Sequence, residues 1–431
     1  MRARGAGMRT LVVADDYPWP RVSGSRLRLD VVLSGLARCG PVDLVSVVPA
    51  ELADVGVPSH CVSRTEVVRV PATRSAGFGS ASRWLLPGEV RRWSGSSLPG
   101  RVRAAAGGDA ARSPWDDYDL VWFSGVRAWV AAGMPAQAVP PSVVDVYDLD
   151  DEKILRRPSR PLPGAGSPLA LRSAAVARRS ASRAYARVEV ARWRHLYRRC
   201  GRARLVAVVC SDLDASRAGG KGFVEVRVVP NGYPSPAFPV GRVAVSERPT
   251  VVFAGTLRYP PNADGARWLA EEVAPRLRSR VPECRVRLVG RHQPAQRTLH
   301  DPPRVELVGP VDDIASELAR ADVVVVPVRY GSGTRLKVLE AFAHRVPVVS
   351  TTLGAEGLDV TDGAEVLLAD DPDAFADACA RLLGGSDLRR RLVERAQAHF
   401  RERFSAELVE QQVEAVARKV AHAGTDEAGD R

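Results

Sequence analysis

One window of the chain carries its strongest chemical signal: Val326-Pro327-Val328-Arg329-Tyr330-Gly331-Ser332-Gly333-Thr334-Arg335-Leu336-Lys337-Val338-Leu339-Glu340-Ala341. A β-branched apolar run reads as a buried strand, the Gly-Ser-Gly turn follows, and Thr334 stands where a helix N-cap would be. The free backbone N–H groups of such a helix start, together with its dipole, attract an anion. The glycines Gly331 and Gly333, on either side of Ser332, allow a phosphate to approach the backbone. Lys337 falls in the first helical turn, within reach of the same anion. Glu340, three residues on and on the same side, is placed to accept hydrogen bonds from hydroxyls such as those of a ribose. Leu336, Leu339 and Ala343 form the buried stripe. An ordinary strand-to-helix turn with a solvated Lys–Glu pair fits the same spacing. The window is neither a P-loop nor a dinucleotide fingerprint.

The elements that must position these residues alternate between strand and helix, the pattern of parallel, doubly wound sheets. Strands are expected at Thr10–Ala14, Val42–Val48, Glu66–Val70, Leu120–Phe123, Val143–Tyr147, Leu205–Cys210 and Val226–Val229. A second series follows at Val251–Phe253, Arg285–Val289, Val305–Leu307, Val323–Val326, Pro347–Ser350 and Val366–Leu368. Helices are expected over Arg26–Arg38, Ala174–Arg199, Arg335–His344, Asp373–Leu383 and Leu388–Phe404, with Asn262 capping another that runs to Leu277. Ser75–Gly108 and Pro158–Ser167 show no periodicity and read as flexible surface loops. This gives an N-terminal Rossmann-like domain over 8–233, a second over 250–404, and a last helix over 405–422 crossing back to the first. Two such domains facing a cleft bind ligands at the carboxyl ends of their strands.

Composition narrows the class. At 431 residues with 45% hydrophobic content the chain is long enough for two or three packed domains and too apolar for disorder. No run approaches the ~18–20 apolar residues of a membrane span, and no secretory core follows the basic N-terminus, so a cytoplasmic protein is expected. The net charge of +12 is concentrated. Residues 153–204 hold fifteen Lys or Arg against one acid, Glu189, so 15 − 1 = +14 sits in that segment. A solvated helix face, or a surface for anionic membrane or lipid phosphate at the inner face of the membrane, accounts for it; nucleic acid is not expected, because no recognition motif accompanies the charge. The cysteines are scattered singly and read as small buried hydrophobes, and no histidine has metal-ligand spacing. No metal site is expected.

The window just described, continued by Val346-Pro347-Val348-Val349-Ser350-Thr351-Thr352-Leu353-Gly354-Ala355-Glu356-Gly357-Leu358, resembles the donor-site signature of glycosyltransferase family 4, retaining enzymes of the GT-B fold. Phe253-Ala254-Gly255-Thr256-Leu257-Arg258-Tyr259-Pro260-Pro261-Asn262 is similar to that family's entry to its nucleotide-sugar domain. The nearest pattern is the subgroup of sugar transferases of exopolysaccharide clusters. The likeness is good over Val251–Phe404 and weaker at Tyr17-Pro18-Trp19-Pro20, Gly24, Arg28 and Val143–Asp151.

The resemblance implies that Arg258 and Lys337 neutralise a departing diphosphate and that Glu340 holds the ribose. The donor would also meet Gly255, Asn262, Gly331, Ser332, Gly333, Thr334, Arg335 and Leu336. Gly24, in the loop after the first strand, would let the first domain close over the phosphates. Three departures stand out. Ser332 occupies the slot of a glutamate eight residues before Glu340, Tyr147 stands where the family often has histidine, and Arg345 replaces a glycine at the helix end. With no histidine there, Asp148 becomes the candidate near the acceptor hydroxyl. Asp145 belongs to an acidic acceptor rim, Asp151 reads as a solvated strand end, and Trp19 either stacks on an acceptor or pins its loop. Asp148-Leu149-Asp150 has the form of a metal–diphosphate clamp, a role not expected here.

The implied function is transfer of a sugar from a nucleoside diphosphate sugar to a hydroxyl, with retention and without a cofactor or metal. Polysaccharide, cell-envelope or glycolipid synthesis is the expected setting. Decoration of a soluble natural product, a sugar-nucleotide epimerase and a non-catalytic sugar-nucleotide binder are the alternatives.

Overall fold

The computed structural model describes residues 7–52, 56, 61–70, 85–95, 97–107, 114–135, 140–157, 169–241 and 244–429, with backbone alone at 169–175 and 424–429. Two compact units emerge: Met1–Val229 with Glu410–Arg431, and Pro230–Val409. The last helix, Ala406–Gly429, thus contributes most of its length to the first unit.

In the first unit the strands are β1 (Thr10–Ala14), β2 (Val42–Pro49), β3 (Arg64–Val70), β4 (Leu120–Ser124), β5 (Ser142–Asp145), β6 (Val206–Val209) and β7 (Glu225–Val228). They form one parallel sheet in the order β3-β2-β1-β4-β5-β6-β7. The second unit has β8 (Thr250–Ala254), β9 (Arg285–Val289), β10 (Val305–Gly309), β11 (Val323–Val326), β12 (Val348–Ser350) and β13 (Leu367–Leu368). These too are parallel, ordered β10-β9-β8-β11-β12-β13. Both faces of each sheet are covered, which is why β1, β4, β8 and β11 are buried along their whole length and read as continuous apolar runs rather than alternating ones. In each sheet the order reverses beside the first strand, at β1/β4 and at β8/β11. Loops leaving neighbouring strands there diverge and leave a crevice at the carboxyl ends.

Several expectations need correction. Of the stretch expected to be loop, residues 75–84, 96 and 108 lie outside the described residues, but the described parts, 85–95 and 97–107, are packed. It holds a 3-10 turn at Arg91–Ser94 and a helix at Leu98–Ala105, and it buries Leu86, Val90, Trp93, Leu98 and Val102. Its Gly, Ser and Arg content hid an apolar residue every three to five positions. Pro158–Ser167 lies outside the described residues. The helix after β8 starts at Pro260 with Tyr259 as its N-cap, and it widens into a π turn at Leu269–Val273 before continuing over Ala274–Arg280. Pro275 lacks an N–H and would crowd a regular helix, and the wider turn accommodates it.

The arginine-rich helix runs Leu169–Arg202, longer than expected at both ends. From Glu189 onward it buries Val190, Trp193, Leu196, Tyr197 and Cys200. Upstream, Val176, Tyr185 and Val188 stand in solvent. Arg345 ends its helix with φ +61°, the left-handed conformation that favours the glycine it replaces. All six cysteines are free, five of them buried and Cys61 partly so. Among the described residues no helix is long and apolar enough to cross a membrane.

Candidate active site

In the second unit, the loop after β11 enters its turn with Gly331 at φ +124° and leaves it with Gly333 at φ +77°. Both values need glycine, and a Cβ at Gly331 would lie 2.8 Å from Arg335 Nη2. Ser332 between them is buried. The helix that follows spans Leu336–Ala343, its N-cap residue is Arg335, and no side chain caps it. Thr334 is therefore not the cap. Its Oγ1 instead accepts a 2.6 Å hydrogen bond from Asn231 Nδ2, while Arg335 folds back to donate from Nη1 to Ser332 O at 2.6 Å. Leu336 is partly buried against the core beneath.

Lys337 leaves this helix start toward β8. Its Nζ donates to Asn262 Oδ1 at 2.9 Å and sits 4.4 Å from the centre of the Phe253 ring. The side chain keeps some exposed area, yet protein atoms surround its ammonium. That desolvation, with the nearby Arg335 charge, pushes it down to about 7 against the pull of Glu340. Asn262 lies inside the first turn of the helix Pro260–Trp268 and does not cap it. Its amide is used twice, since Nδ2 donates to Thr256 O at 3.0 Å and Oδ1 receives Lys337. Gly255, with φ +152°, makes room for both: a Cβ there would stand 2.9 Å from Lys337 Nζ and 3.1 Å from Asn262 Nδ2. Glu340 Oε1 accepts from the Tyr233 hydroxyl at 2.9 Å, and burial pushes its carboxyl up to about 7. Arg258 is exposed, its backbone N–H is tied to Arg291 O at 3.0 Å, and among the described residues its guanidinium enters no ion pair.

Gly255, Asn262, the glycine loop, Lys337 and Glu340 thus converge on the carboxyl ends of β8 and β11. Asn231 and Tyr233 complete the arrangement and had not been singled out. The spacing of Asn231-Gly232-Tyr233-Pro234 is that of a turn between domains, and two hydrogen-bonding side chains around a glycine just past a strand are the signal it offers.

In the first unit the candidates fare differently. Gly24 opens the helix Gly24–Ala37 and is exposed in its first turn, not in the preceding loop. Ser23 is the N-cap and accepts from the Arg26 N–H. Trp19 is 6% exposed, donates from Nε1 to Asp30 Oδ1 at 2.7 Å and meets the Tyr17 ring edge-on at 5.6 Å. It pins its loop, leaving no face for an acceptor. Asp145 is fully buried. It receives Arg28 Nε at 2.9 Å and Nη2 at 2.7 Å, while Arg28 Nη1 donates to Val229 O at 3.1 Å. This carboxylate ties a helix to the strand end and is not part of an acceptor rim. Asp151 is likewise not solvated, being buried against Lys221 Nζ at 2.6 Å and Arg194 Nε at 3.3 Å.

Around the β1/β4 switch point, the Tyr147 hydroxyl donates toward Asp15 at 3.4 Å. Arg127 lies 3.5 Å from Asp15, 3.9 Å from Asp150 and 3.0 Å from Glu89. Lys153 lies 3.7 Å from Asp148 and 3.5 Å from Asp150. Burial pushes Asp15 up to about 6 and Asp150 to about 7, with Arg127 opposing both.

Known proteins agree with this geometry in part. Residues 248–385 match the family model of Glycosyl transferases group 1. The chain is 26% identical over 135 residues to an uncharacterized 44.6 kDa protein of the cps region of Klebsiella pneumoniae, covering 29% of this chain and 35% of that one. It is 34% identical over 119 residues to an exopolysaccharide phosphotransferase of Streptomyces coelicolor, covering 27% and 12%. A D-inositol 3-phosphate glycosyltransferase of Corynebacterium urealyticum is 38% identical over 92 residues, covering 21% and 22%. The chain thus spans about a third or less of the curated relatives it matches.

Among solved structures, sucrose-phosphate synthase from Thermosynechococcus elongatus superposes with TM-score 0.66 at 17% identity, over 96% of this chain and 99% of that one. Anabaena HepE in complex with UDP gives 0.63 at 16%, over 96% and 100%, and WaaG, a glycosyltransferase of lipopolysaccharide biosynthesis, gives 0.59 at 14%, over 95% and 99%. At these identities the likeness is one of fold. The chain has the GT-B fold. The match to the Glycosyl transferases group 1 model falls within its second unit.

Proposed function

We propose that the protein is a retaining glycosyltransferase that moves a sugar from a nucleoside diphosphate sugar to a hydroxyl acceptor. One observation carries the reading: Lys337, held by the neutral Asn262 against an uncapped helix start and a glycine loop, is a desolvated cation with no carboxylate in ion-pair range among the described residues. Such a site gains most when a diphosphate arrives, because the anion returns the proton that burial has made costly. In the transfer, the bond between the anomeric carbon and the phosphate oxygen breaks and the acceptor oxygen bonds to that carbon. Negative charge grows on the departing diphosphate, where Lys337, Arg258 and the loop N–H groups stabilise it without a metal. The departing phosphate oxygen takes the acceptor proton, which leaves no obligatory role for the histidine that Tyr147 replaces. Glu340 receives the ribose hydroxyls. Asp148 serves the acceptor hydroxyl.

Several observations favour a polysaccharide, cell-envelope or glycolipid acceptor used in the cytoplasm at the membrane face. Relatives include proteins named for exopolysaccharide and cps regions. The segment 153–204 carries the +14 counted above, and Val176, Tyr185 and Val188 are exposed among its arginines.

Thermal stabilisation by UDP, GDP and dTDP, wild type beside Lys337→Ala, tests the donor site. A nucleotide at ~100 times its dissociation constant adds about 2.7 kcal/mol. One selective shift, lost in the variant, is the expected result. Equal shifts in both proteins, or none for any nucleotide, would remove the assignment.

A further inference from the structure

The segment by which the chain enters its second unit, Pro230-Asn231-Gly232-Tyr233, has a fixed backbone. The Tyr233 N–H donates to Phe404 O and the Ala406 N–H donates to Tyr233 O, each at 2.9 Å. Gly232 packs so closely on the start of the last helix that a Cβ would sit 3.1 Å from Val409 Cβ and 3.2 Å from Ala406 Cα. A bulkier residue there would push the segment away. The side chains flanking this glycine are aimed at the two working parts of the site. Asn231 Nδ2 donates to Thr334 Oγ1 in the glycine loop, and the Tyr233 hydroxyl donates to Glu340 Oε1. No protein donor reaches Glu340 Oε2 among the described residues.

We infer that Asn231 and Tyr233 are positioning residues of the nucleotide site, Asn231 for the loop that receives the diphosphate and Tyr233 for the carboxylate that receives the ribose hydroxyls. This rests on the donor-site reading above. Glu340 is useful to a vicinal diol only while ionised, because protonation turns one acceptor oxygen into a donor. Burial works against ionisation. The Tyr233 hydrogen bond is the first opposing influence, the Lys337 ammonium the second, and the Asp313 carboxylate adds to the effect of burial. Tyr233 itself stays protonated, since burial and the neighbouring carboxylate both raise it. Its ring meets His344 edge-on at 6.4 Å, and burial lowers that imidazole. These are the groups that face Glu340, and among them Tyr233 alone donates a hydrogen bond to it.

Calorimetric titration of UDP and GDP against their 2′-deoxy counterparts, from about pH 6 to about pH 9, tests both roles. Tyr233→Phe should weaken ribonucleotide binding roughly tenfold, the scale of one hydrogen bond to a charged group. The deoxynucleotide should change far less, and the pH below which ribonucleotide binding fades should move upward. Glu340→Gln should lose the same discrimination, and the double variant should lose no more than either single one. Asn231→Ala should weaken both nucleotides equally and keep their ratio. Tyr233→Phe with the wild-type ratio and the wild-type pH midpoint would overturn the role of Tyr233. Asn231→Ala with wild-type affinity would overturn that of Asn231. If Lys337→Ala binds every nucleotide as wild type does, or wild type binds none, the donor-site reading itself falls and this inference with it.

Discussion

The carboxyl ends of β1 and β4 in one unit, and of β8 and β11 in the other, occupy the same place in two sheets with the same order of leading strands, yet they are built with opposite charge. After β1 comes Asp15, and after β4 comes Gly125 at φ +96°, where a Cβ would lie 2.9 Å from the Asp15 carboxylate. Glu89, Asp148 and Asp150 join it, and Arg127 and Lys153 are spent on these acids. After β8 comes Gly255, and after β11 the glycine loop, with Lys337 left to an amide. The difference separates two uses of a charged side chain. A charge met by its opposite is part of the frame, as in Arg28–Asp145 and Lys221–Asp151. A buried charge given only a neutral partner is unfinished, and a ligand of opposite sign completes it.

The comparison is broken most easily at its strongest point. Asp145→Ala would leave the buried Arg28 guanidinium without the Asp145 counter-charge, which costs about 3–5 kcal/mol. Denaturant unfolding should show that loss. A variant of unchanged stability that fails in turnover would instead make Asp145 a working residue. Lys337→Ala should do the reverse. Turnover falls by about 10²–10³, the scale of removing one preorganised charge-stabilising donor, while the unfolding midpoint holds or rises because a desolvated cation has gone. Steady-state rates and unfolding curves on the same preparations check both halves.

Trp19→Phe is a milder test of the same distinction. It removes the Nε1 donor but leaves Asp30 its pair with Arg21 at 2.8 Å, so the loss in stability should be about 1–2 kcal/mol, with the KM for the acceptor unchanged. A raised acceptor KM at wild-type stability would restore the stacking role that the burial of Trp19 speaks against.

The alternation of strand and helix was legible because buried parallel strands declare themselves as β-branched runs; β1, β9 and β11 fall where those runs begin and end. The glycine loop, Lys337 and Glu340 were legible for a related reason: a strand, a turn and one helical turn fix their mutual placement within a dozen residues. What failed depended on residues distant in the chain. Thr334 looks like a cap until Asn231, 103 positions away, claims its hydroxyl. Asp145 looks like an acid at an open strand end until Arg28, 117 positions away, closes on it. Asn262 has a capping residue's chemistry, but Pro260 and Pro261 start the helix ahead of it, and its amide is used by Lys337 instead. Local spacing reports which groups are available, and only packing decides which of them are consumed.

The dependence of stability on pH separates the raised carboxyls of both regions from the lowered Lys337 ammonium by sign. Glu340 is raised to about 7, Asp15 to about 6 and Asp150 to about 7. As pH climbs from ~4 to those values, the unfolded chain gives up protons that the folded protein retains, so their contribution to stability falls with rising pH. Lys337 is lowered to about 7. From there to its ordinary value near ~10.5 the unfolded chain holds a proton that the folded protein lacks, so this contribution rises with pH. The first unit's acids act only on the acid side of neutrality, and Lys337 only on the alkaline side. Unfolding free energies across that range should therefore lose slope above about pH 7 in Lys337→Met. They should lose part of the slope below it in Glu340→Gln, and another part in Asp15→Asn. Saturating diphosphate should act like Lys337→Met, because the anion restores the ammonium's proton and cancels the alkaline slope. If Lys337→Met keeps the wild-type slope above pH 7, the ammonium is not desolvated, and the contrast between the two switch points reduces to one of net charge.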